Sequence, residues 1–317
     1  MPKKVKEEKI NDVDVIRKKM NHFSLKSKTK YWLDTGIPRL HKAFGSKKRG
    51  LAFGKIYEIF GEESNGKTAL AMDIMGMAQK AGAKAAIVDL EYSWDDEWAM
   101  NRGIYVKRNS EGDLVIPALF QPYVGQFGSN RAKPELISAE ALLDEVETWM
   151  YIKSRKYDKL FVLVDSVAAM LAEKEADGGL TNQNMSTRAG GLPQMMSQML
   201  RRWVGLAGSY NAMIIFINQT RQSPGIMFGN PNKTTGGKAL KFYASIRVQV
   251  NRKSRMRQGK EIVGIKGFIK NIKNKAGGGS TEGYECGYKI PFTGKPSKFP
   301  SFDDMKEELK NKREESE

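Results

Sequence analysis

Gly61-Glu62-Glu63-Ser64-Asn65-Gly66-Lys67-Thr68 decides the fold. The octet has the spacing G-x-x-x-x-G-K-[ST], and its flanks suit that spacing. Lys55–Phe60, just upstream, reads as a buried strand. Ala69–Gln79, just downstream, reads as a helix stopped near Gly82. Strand, glycine loop and helix together are the setting in which such a loop cradles phosphate. Gly61 and Gly66 let the backbone turn tightly and approach an anion. The residues between them, Glu62, Glu63, Ser64 and Asn65, point backbone N–H groups into the turn, where the helix start adds its positive end. Lys67 reaches the outer phosphates, and the Thr68 hydroxyl is a ligand for Mg²⁺.

Outward from the loop, strands and helices alternate. Ala85–Asp89 is a second buried strand that leads to Glu91 at a carboxyl edge, where doubly wound sheets hold ligands. Glu135–Arg155 is predicted to be a helix with Leu136, Ala139, Leu143, Val146 and Met150 on one face. The apolar run Leu160–Val164 ends in Asp165. A carboxylate there, downstream of a phosphate loop, orders Mg²⁺, usually through water. Residues 173–191 read as a polar loop and Leu192–Ala207 as a helix bearing Arg201 and Arg202. Met213–Ile217 is a fourth strand, running into Asn218-Gln219. Residues 220–238 form a second long loop, and loops of such length inside a compact domain are usually functional. Residues 246–275 read as basic antiparallel strands, Gly277–Gly279 as a turn, and Tyr284–Ile290 as the last strand.

The flanks are simpler. Asp12 is a plausible N-cap for a helix with Val13, Ile16, Met20 and Phe23 at helical spacing. That helix covers either its own domain or a neighbouring subunit. Residues 24–50 are polar, with Trp32–Gly36 as a turn. Beyond Pro296 the chain is charged, with a helical pattern over Phe302–Leu309. The expected class is α/β: a P-loop core with a mostly parallel twisted sheet, helices on both faces, a short N-terminal helix and an antiparallel strand extension. The expected divisions are 1–31 (tail and helix, a subunit contact), 32–290 (core) and 291–317 (charged tail).

Composition narrows the partners. The 317 residues are 40% hydrophobic, enough for one large core with appendages, and carry a net charge of +17. Such an excess suggests a polyanion, nucleic acid before membrane surface. One cysteine, Cys286, and two histidines, His22 and His41, exclude an intrachain disulfide framework and a zinc site of the usual kind. No apolar run reaches membrane-span length. Met1–Lys9 is charged with no apolar region behind it, unlike a signal peptide, so a cytoplasmic location is expected.

Several segments resemble the RecA family of DNA recombinases, over roughly residues 32–290. They are Tyr57–Thr68, Val164–Ala169, Met195–Gln198, Phe216–Gln219, Met227–Pro231 and Thr234–Ala244. The last run is far more specific than any nucleotide motif. The resemblance implies a RecA-like ATPase core that takes ATP and Mg²⁺. It assigns Glu91 as the general base for the attacking water; read alone, Glu91 is a capping or salt-bridging residue. It makes Asp95 and Trp98 the adenine contacts, with Trp98 where the family usually has Tyr. Gln219 matches the γ-phosphate sensor, where the bare sequence offers a buried glutamine satisfied by backbone. Lys273 and Lys275 match lysines that reach a neighbour's ATP, where the bare sequence offers two solvated strand lysines.

The loops at 173–191 and 220–238 resemble the two DNA-binding loops. Gly190, Ser197, Arg201, Gly236 and Gly237 then hold phosphates, and Pro224 takes the place of an apolar wedge between base triplets. Phe228 belongs to the second loop. Lys238 replaces a usual Asn and adds charge, whereas Gln194 stands where an Arg is common. Beside that resemblance, the family's folded C-terminal domain is expected to be missing or reduced to the charged tail. The implied function is ATP-dependent strand exchange. The protein would form a helical homo-oligomeric filament on single-stranded DNA, pair it with homologous duplex, and hydrolyse ATP when DNA is bound, with no membrane partner. A hexameric helicase motor on the same fold, and a DNA-coating or mediator protein with little turnover, are the alternatives.

Overall fold

The structure is a computed structural model that describes residues 29–46, 49–124, 135–170, 191–222, 232–276, 281–293 and 297–314. The helix expected from Asp12, most of the 173–191 loop, the Gly277–Gly279 turn and the residues Gly190, Pro224 and Phe228 lie outside the described residues.

The described strands of the central sheet are β1 (Lys55–Gly61), β2 (Lys84–Asp89), β3 (Ala118–Phe120), β4 (Leu160–Asp165), β5 (Ala212–Gln222), β6 (Asn232–Thr234), β7 (Ile246–Gln258), β8 (Glu261–Asn274) and β9 (Glu285–Pro291). Their order is β9-β8-β7-β1-β5-β4-β2-β3, with β6 paired to the far end of β5. From β7 to β3 every pairing is parallel. The β7–β8–β9 side is antiparallel, as the basic strand extension was expected to be. The helices are α1 (Pro38–Ala43), α2 (Lys67–Lys80), α3 (Asp96–Asn101), α4 (Ala139–Ser154), α5 (Gly191–Ser209), α6 (Ala239–Tyr243) and α7 (Phe302–Glu314).

The central strands are apolar on both faces because both are covered. Along β4, Phe161 and Leu163 join one core with α1 and α2; Leu160, Val162 and Val164 join the other with α4 and α5. Along β5, Met213, Ile215 and Ile217 alternate with Ala212, Ile214 and Phe216 in the same way. This period of two, carried by near-continuous hydrophobic runs, is the signature of a parallel sheet buried on both sides.

Three expectations need correction. Trp32–Leu33 is a short strand paired with Leu51–Ala52, and α1 follows it, where a turn in a polar stretch was expected. Leu33, Leu40, Phe44 and Leu51 are buried, so this segment caps the core despite its lysines. The helix expected over Glu135–Arg155 begins only at Ala139, because Ser138 caps it by accepting the backbone N–H of Ala141 at 3.3 Å; Glu135–Leu136 pairs instead with Tyr123–Val124. The second long loop is shorter than expected: β5 continues to Gln222 and returns as β6 in an antiparallel ribbon with Thr220 opposite Thr234.

The helical pattern in the tail is real and is docked. Met305 of α7 is fully buried, and Phe302 packs on Phe268 of β8 with ring centroids 4.9 Å apart. Glu308 accepts from Lys266 at 2.9 Å and pairs with Lys289 at 2.8 Å.

Candidate nucleotide-binding site

Parallel register lines up the carboxyl ends of four strands. Gly61 of β1 lies opposite Gln219 of β5, and Asp165 of β4 lies opposite Asp89 of β2. The phosphate loop leaves β1 at that row and enters α2. Gly66 caps α2 with φ +83°, a left-handed conformation that glycine adopts without strain; a Cβ there would also strike Ile290 and Ile265. Asn65 is buried. Its amide donates to the Val250 carbonyl at 3.0 Å, and its own carbonyl accepts from the Tyr288 hydroxyl at 2.9 Å. Asn65 therefore anchors the loop to β7 and β9. Gly61 approaches the same Val250 carbonyl so closely that a Cβ would fall 2.3 Å from it.

The loop opens on a cavity of about 600 Å³. Glu63, Ser64, Gly66, Lys67 and Thr68 line one side, with Glu91, Asp165 and Gln219 at its floor. Lys67 donates to the Glu62 carbonyl at 2.7 Å. Burial lowers the Lys67 ammonium pKa, against the pull of Asp165, Glu91, Glu63 and Glu62. The Thr68 hydroxyl donates to Asp165 Oδ2 at 2.7 Å. Asp165 is itself pushed up to about 7, first by burial and then by the charges of Glu91 and Asp89, while Thr68 and Lys67 oppose the shift. Its Oδ1 is buried with no hydrogen-bond partner among the described residues. A hydroxyl beside an unpartnered buried carboxylate oxygen fits a hard cation of the Mg²⁺ type that keeps most of its water; among the described residues no group of three or more carboxylate, histidine or cysteine side chains is gathered to hold one.

Glu91 is held from two sides. The Ser166 hydroxyl donates to its Oε1, and the Gln219 amide donates to the same atom at 3.5 Å. Asp89 accepts the backbone N–H groups of Ser93 and Trp94 at 3.1 and 3.0 Å and the Gln121 amide at 3.2 Å, which fixes the turn that carries Glu91. Trp98 on α3 also lines the cavity. Asp95 does not line it; its carboxylate caps α3 through the Trp98 N–H at 2.6 Å.

Comparison with known proteins adds the family. The sequence pattern described as RecA N-terminal domain matches residues 17–117 and 137–282. The chain belongs to the RecA family. Protein RecA of Pseudomonas fluorescens strain Pf0-1 is 39% identical over 226 residues, 71% of this chain and 56% of that protein. Protein RecA of Chloroherpeton thalassium is 39% identical over 243 residues, 77% of this chain and 59% of its own length. That of Caldanaerobacter subterraneus is 37% identical over 243 residues, 77% of this chain and 62% of its own length. The chain thus spans less than two thirds of each of these relatives. Among the described residues no helix is long and apolar enough to cross a membrane.

Other residues singled out by the RecA resemblance fall into two groups outside the cavity. Ser197 and Arg201 follow Pro193 at four-residue steps along α5, so the three share a stripe. Gly236 and Gly237, with φ +79° and +76°, lie where the chain turns from β6 towards α6. A Cβ on Gly236 would come within 2.9 Å of Val167, and one on Gly237 within 3.0 Å of Pro193. The glycines are needed for both the turn and the approach. Lys238 is exposed at the start of α6, beside them. Lys273 is elsewhere: its ammonium donates at 2.8 Å to the carbonyls of Lys241 and Phe242, at the end of α6. Neither Lys273 nor Lys275 lines the nucleotide cavity of its own chain.

The RecA-family reading of the sequence missed one wall of the cavity. Arg252, Arg255, Ile262, Ile265, Ile290, Pro291 and Phe292 come from β7, β8 and the end of β9. No local pattern marks them, because strand pairing nearly 200 residues downstream brings them to the loop. Register is the signal: Arg255 lies opposite Ile265, and Ile265 opposite Ile290.

Proposed function

We propose that this chain is a DNA-dependent ATPase of the recombinase kind. It takes Mg²⁺ and ATP at the phosphate loop, assembles as a helical filament on single-stranded DNA, and exchanges that strand with homologous duplex. One observation carries the reading furthest. Gln219, which donates to Glu91, lies on the same strand that continues into the β5–β6 ribbon and so to Gly236 and Gly237. A change at the cavity floor and a change in the second loop are then movements of one strand, which gives the two sites a physical means of reciprocal coupling.

Each residue has a stated task. When bound, the triphosphate would supply the reacting phosphorus and Mg²⁺ would neutralise charge on its oxygens. Lys67 and the loop N–H groups fix the outer phosphates. Thr68 and Asp165 hold the metal. Glu91 takes a proton from water on its carboxylate, which Ser166 and Gln219 orient through Oε1. Trp98 offers its indole face to the base, and Ile265, Ile290 and Phe292 add apolar lining to the same cavity. Lys273 and Lys275 serve the cavity of the adjacent subunit. Ser197 and Arg201 on the α5 stripe, with Gly236, Gly237 and Lys238, hold DNA phosphates; Gly190, Pro224 and Phe228, which lie outside the described residues, are assigned to DNA binding from the sequence alone. Phosphate contacts do not read sequence, so base pairing supplies the recognition.

The test is ATP hydrolysis with and without single-stranded DNA at several salt concentrations, paired with electron microscopy. Stimulation by DNA that falls steeply with salt, together with open filaments, is the expected result. Closed rings would instead indicate a helicase motor. Glu91→Gln is expected to cut turnover on the order of 10²–10⁴-fold while filaments persist; an unchanged rate removes Glu91 from its role.

A further inference from the structure

The base platform has a support with no assigned task. Arg102, four residues after Trp98, is almost wholly buried, and its guanidinium carbon lies 5.1 Å from the Trp98 ring centroid. Trp98 lines the nucleotide cavity, whereas Arg102 does not. Its other contacts reach the phosphate-loop helix. Nε donates to the Ala69 carbonyl at 3.3 Å, one residue past Thr68, and pairs with Asp73 Oδ1 at 3.3 Å, one turn further along α2. Nη2 donates to Asp73 Oδ2 at 3.4 Å and to the Ser297 hydroxyl at 3.2 Å, and the Ser297 N–H also donates to Asp73. The neighbouring backbone is equally close: a Cβ on Gly76 of α2 would lie 2.8 Å from the Gly103 carbonyl.

A buried ion pair is a weak stabiliser, since desolvating two charges offsets most of their attraction. Its use here is geometric. A planar guanidinium under an indole fixes the plane of the ring, and its fork fixes the distance from that ring to the first turn of α2. We infer that Arg102, held by Asp73 and Ser297, is a positioning residue that locks the Trp98 platform at a set separation from the phosphate loop, so that a nucleotide is gripped by base and triphosphate together. This rests on the proposal that the cavity takes ATP. It assigns Arg102 no contact with the nucleotide.

The experiment compares two ligands with Mg²⁺, ATP and base-free inorganic tripolyphosphate, by calorimetry and by tryptophan emission. In the unaltered protein ATP should perturb Trp98 emission, and Trp98→Phe should lack that change. The double variant D73N/R102M removes both charges and leaves neither partner buried alone. ATP affinity should fall on the order of tenfold and the Trp98 signal should shrink, with tripolyphosphate affinity unchanged. A general loss of structure would weaken both ligands alike. ATP affinity and emission equal to the unaltered protein overturn the inference. Absence of ATP binding by the unaltered protein overturns the nucleotide reading beneath it. Should the double variant not fold, R102K carries the test. It keeps the charge but loses the fork, so ATP should weaken a few-fold and tripolyphosphate not at all; equal ATP affinity again overturns the inference.

Discussion

Asp165 shows how a single residue can serve a site at a cost to the fold. Its carboxylate is buried, its Oδ1 has no hydrogen-bond partner among the described residues, and its pKa is pushed up to about 7, chiefly by burial. A carboxylate so placed weakens the protein unless a cation joins it. Asp165→Asn keeps the shape and removes the charge. The variant should melt higher than the parent in chelator, by an amount reflecting about 1–3 kcal/mol. It should also lose most of the advantage that Mg²⁺ gives to nucleotide binding. Calorimetric melting in chelator, and ATP titrations with Mg²⁺ and with chelator, read the two effects separately. A variant that is less stable in chelator and binds Mg²⁺–ATP normally would remove Asp165 from the metal role. Its place was legible from the sequence, because an apolar strand ending in Asp downstream of a phosphate loop brings that carboxylate to the loop's Thr68. Asn65 was less legible: the motif counts it as part of the cradle, while its side chain is spent on the Val250 carbonyl.

At the scale of elements, the long apolar strands and α2 were plain in the sequence, since their periodicity and length agree. The short pieces were not. Trp32–Leu33 and Leu51–Ala52 are two residues each and show no period; only burial of Leu33 and Leu51 reveals them. Helix α7 shows the reverse, a visible pattern whose docking depends on distant partners. Glu308 draws Lys266, which is nearly buried, and the more exposed Lys289 onto one carboxylate. Burial alone would raise its pKa, but hydrogen bonds and charge from both lysines outweigh that and bring it to about 2, from an ordinary 4.5. A lowered carboxyl pKa means the stabilisation is complete above pH 4.5 and is lost as pH falls towards 2. Glu308→Gln should therefore destabilise the protein by about 1–3 kcal/mol near neutrality, because Lys266 loses its charge partner. The gap from the parent should close over that acid window. Urea melts at pH 7 and at points below 4.5 check it, and a gap independent of pH would mean that α7 is held by Met305 and Phe302 alone.

At the scale of the whole molecule, the proposed function assigns part of the site to a neighbouring copy. Lys67, Thr68, Glu91, Asp165, Gln219 and Trp98 meet around it, whereas Lys273 and Lys275 do not line it. Instead Lys273 sits at the end of α6, beside exposed Phe242. Its pKa is lowered to about 8 by burial, with Lys275 and Arg247 adding like charge, so the nearby charges chiefly oppose its protonated form. A triphosphate presented by an adjacent copy would relieve that opposition. Head-to-tail contact of this kind is heterologous and, when the rotation does not close, propagates into a filament. Under the proposed function each site would take Glu91 from one subunit and Lys273 from the next, and the arrangement can be tested by mixing. Lys273→Ala and Glu91→Gln should each hydrolyse ATP poorly alone. In an equimolar mixture, an interface with Glu91 from the lysine variant and Lys273 from the glutamate variant carries neither lesion, and random order makes these about a quarter of all interfaces. DNA-stimulated hydrolysis should rise to a comparable share of the unaltered rate, peak near equal mixing, and vanish where filaments are dissolved by salt. If activity stays at the level of the separate variants at every ratio while filaments form, Lys273 acts within its own chain or not at all.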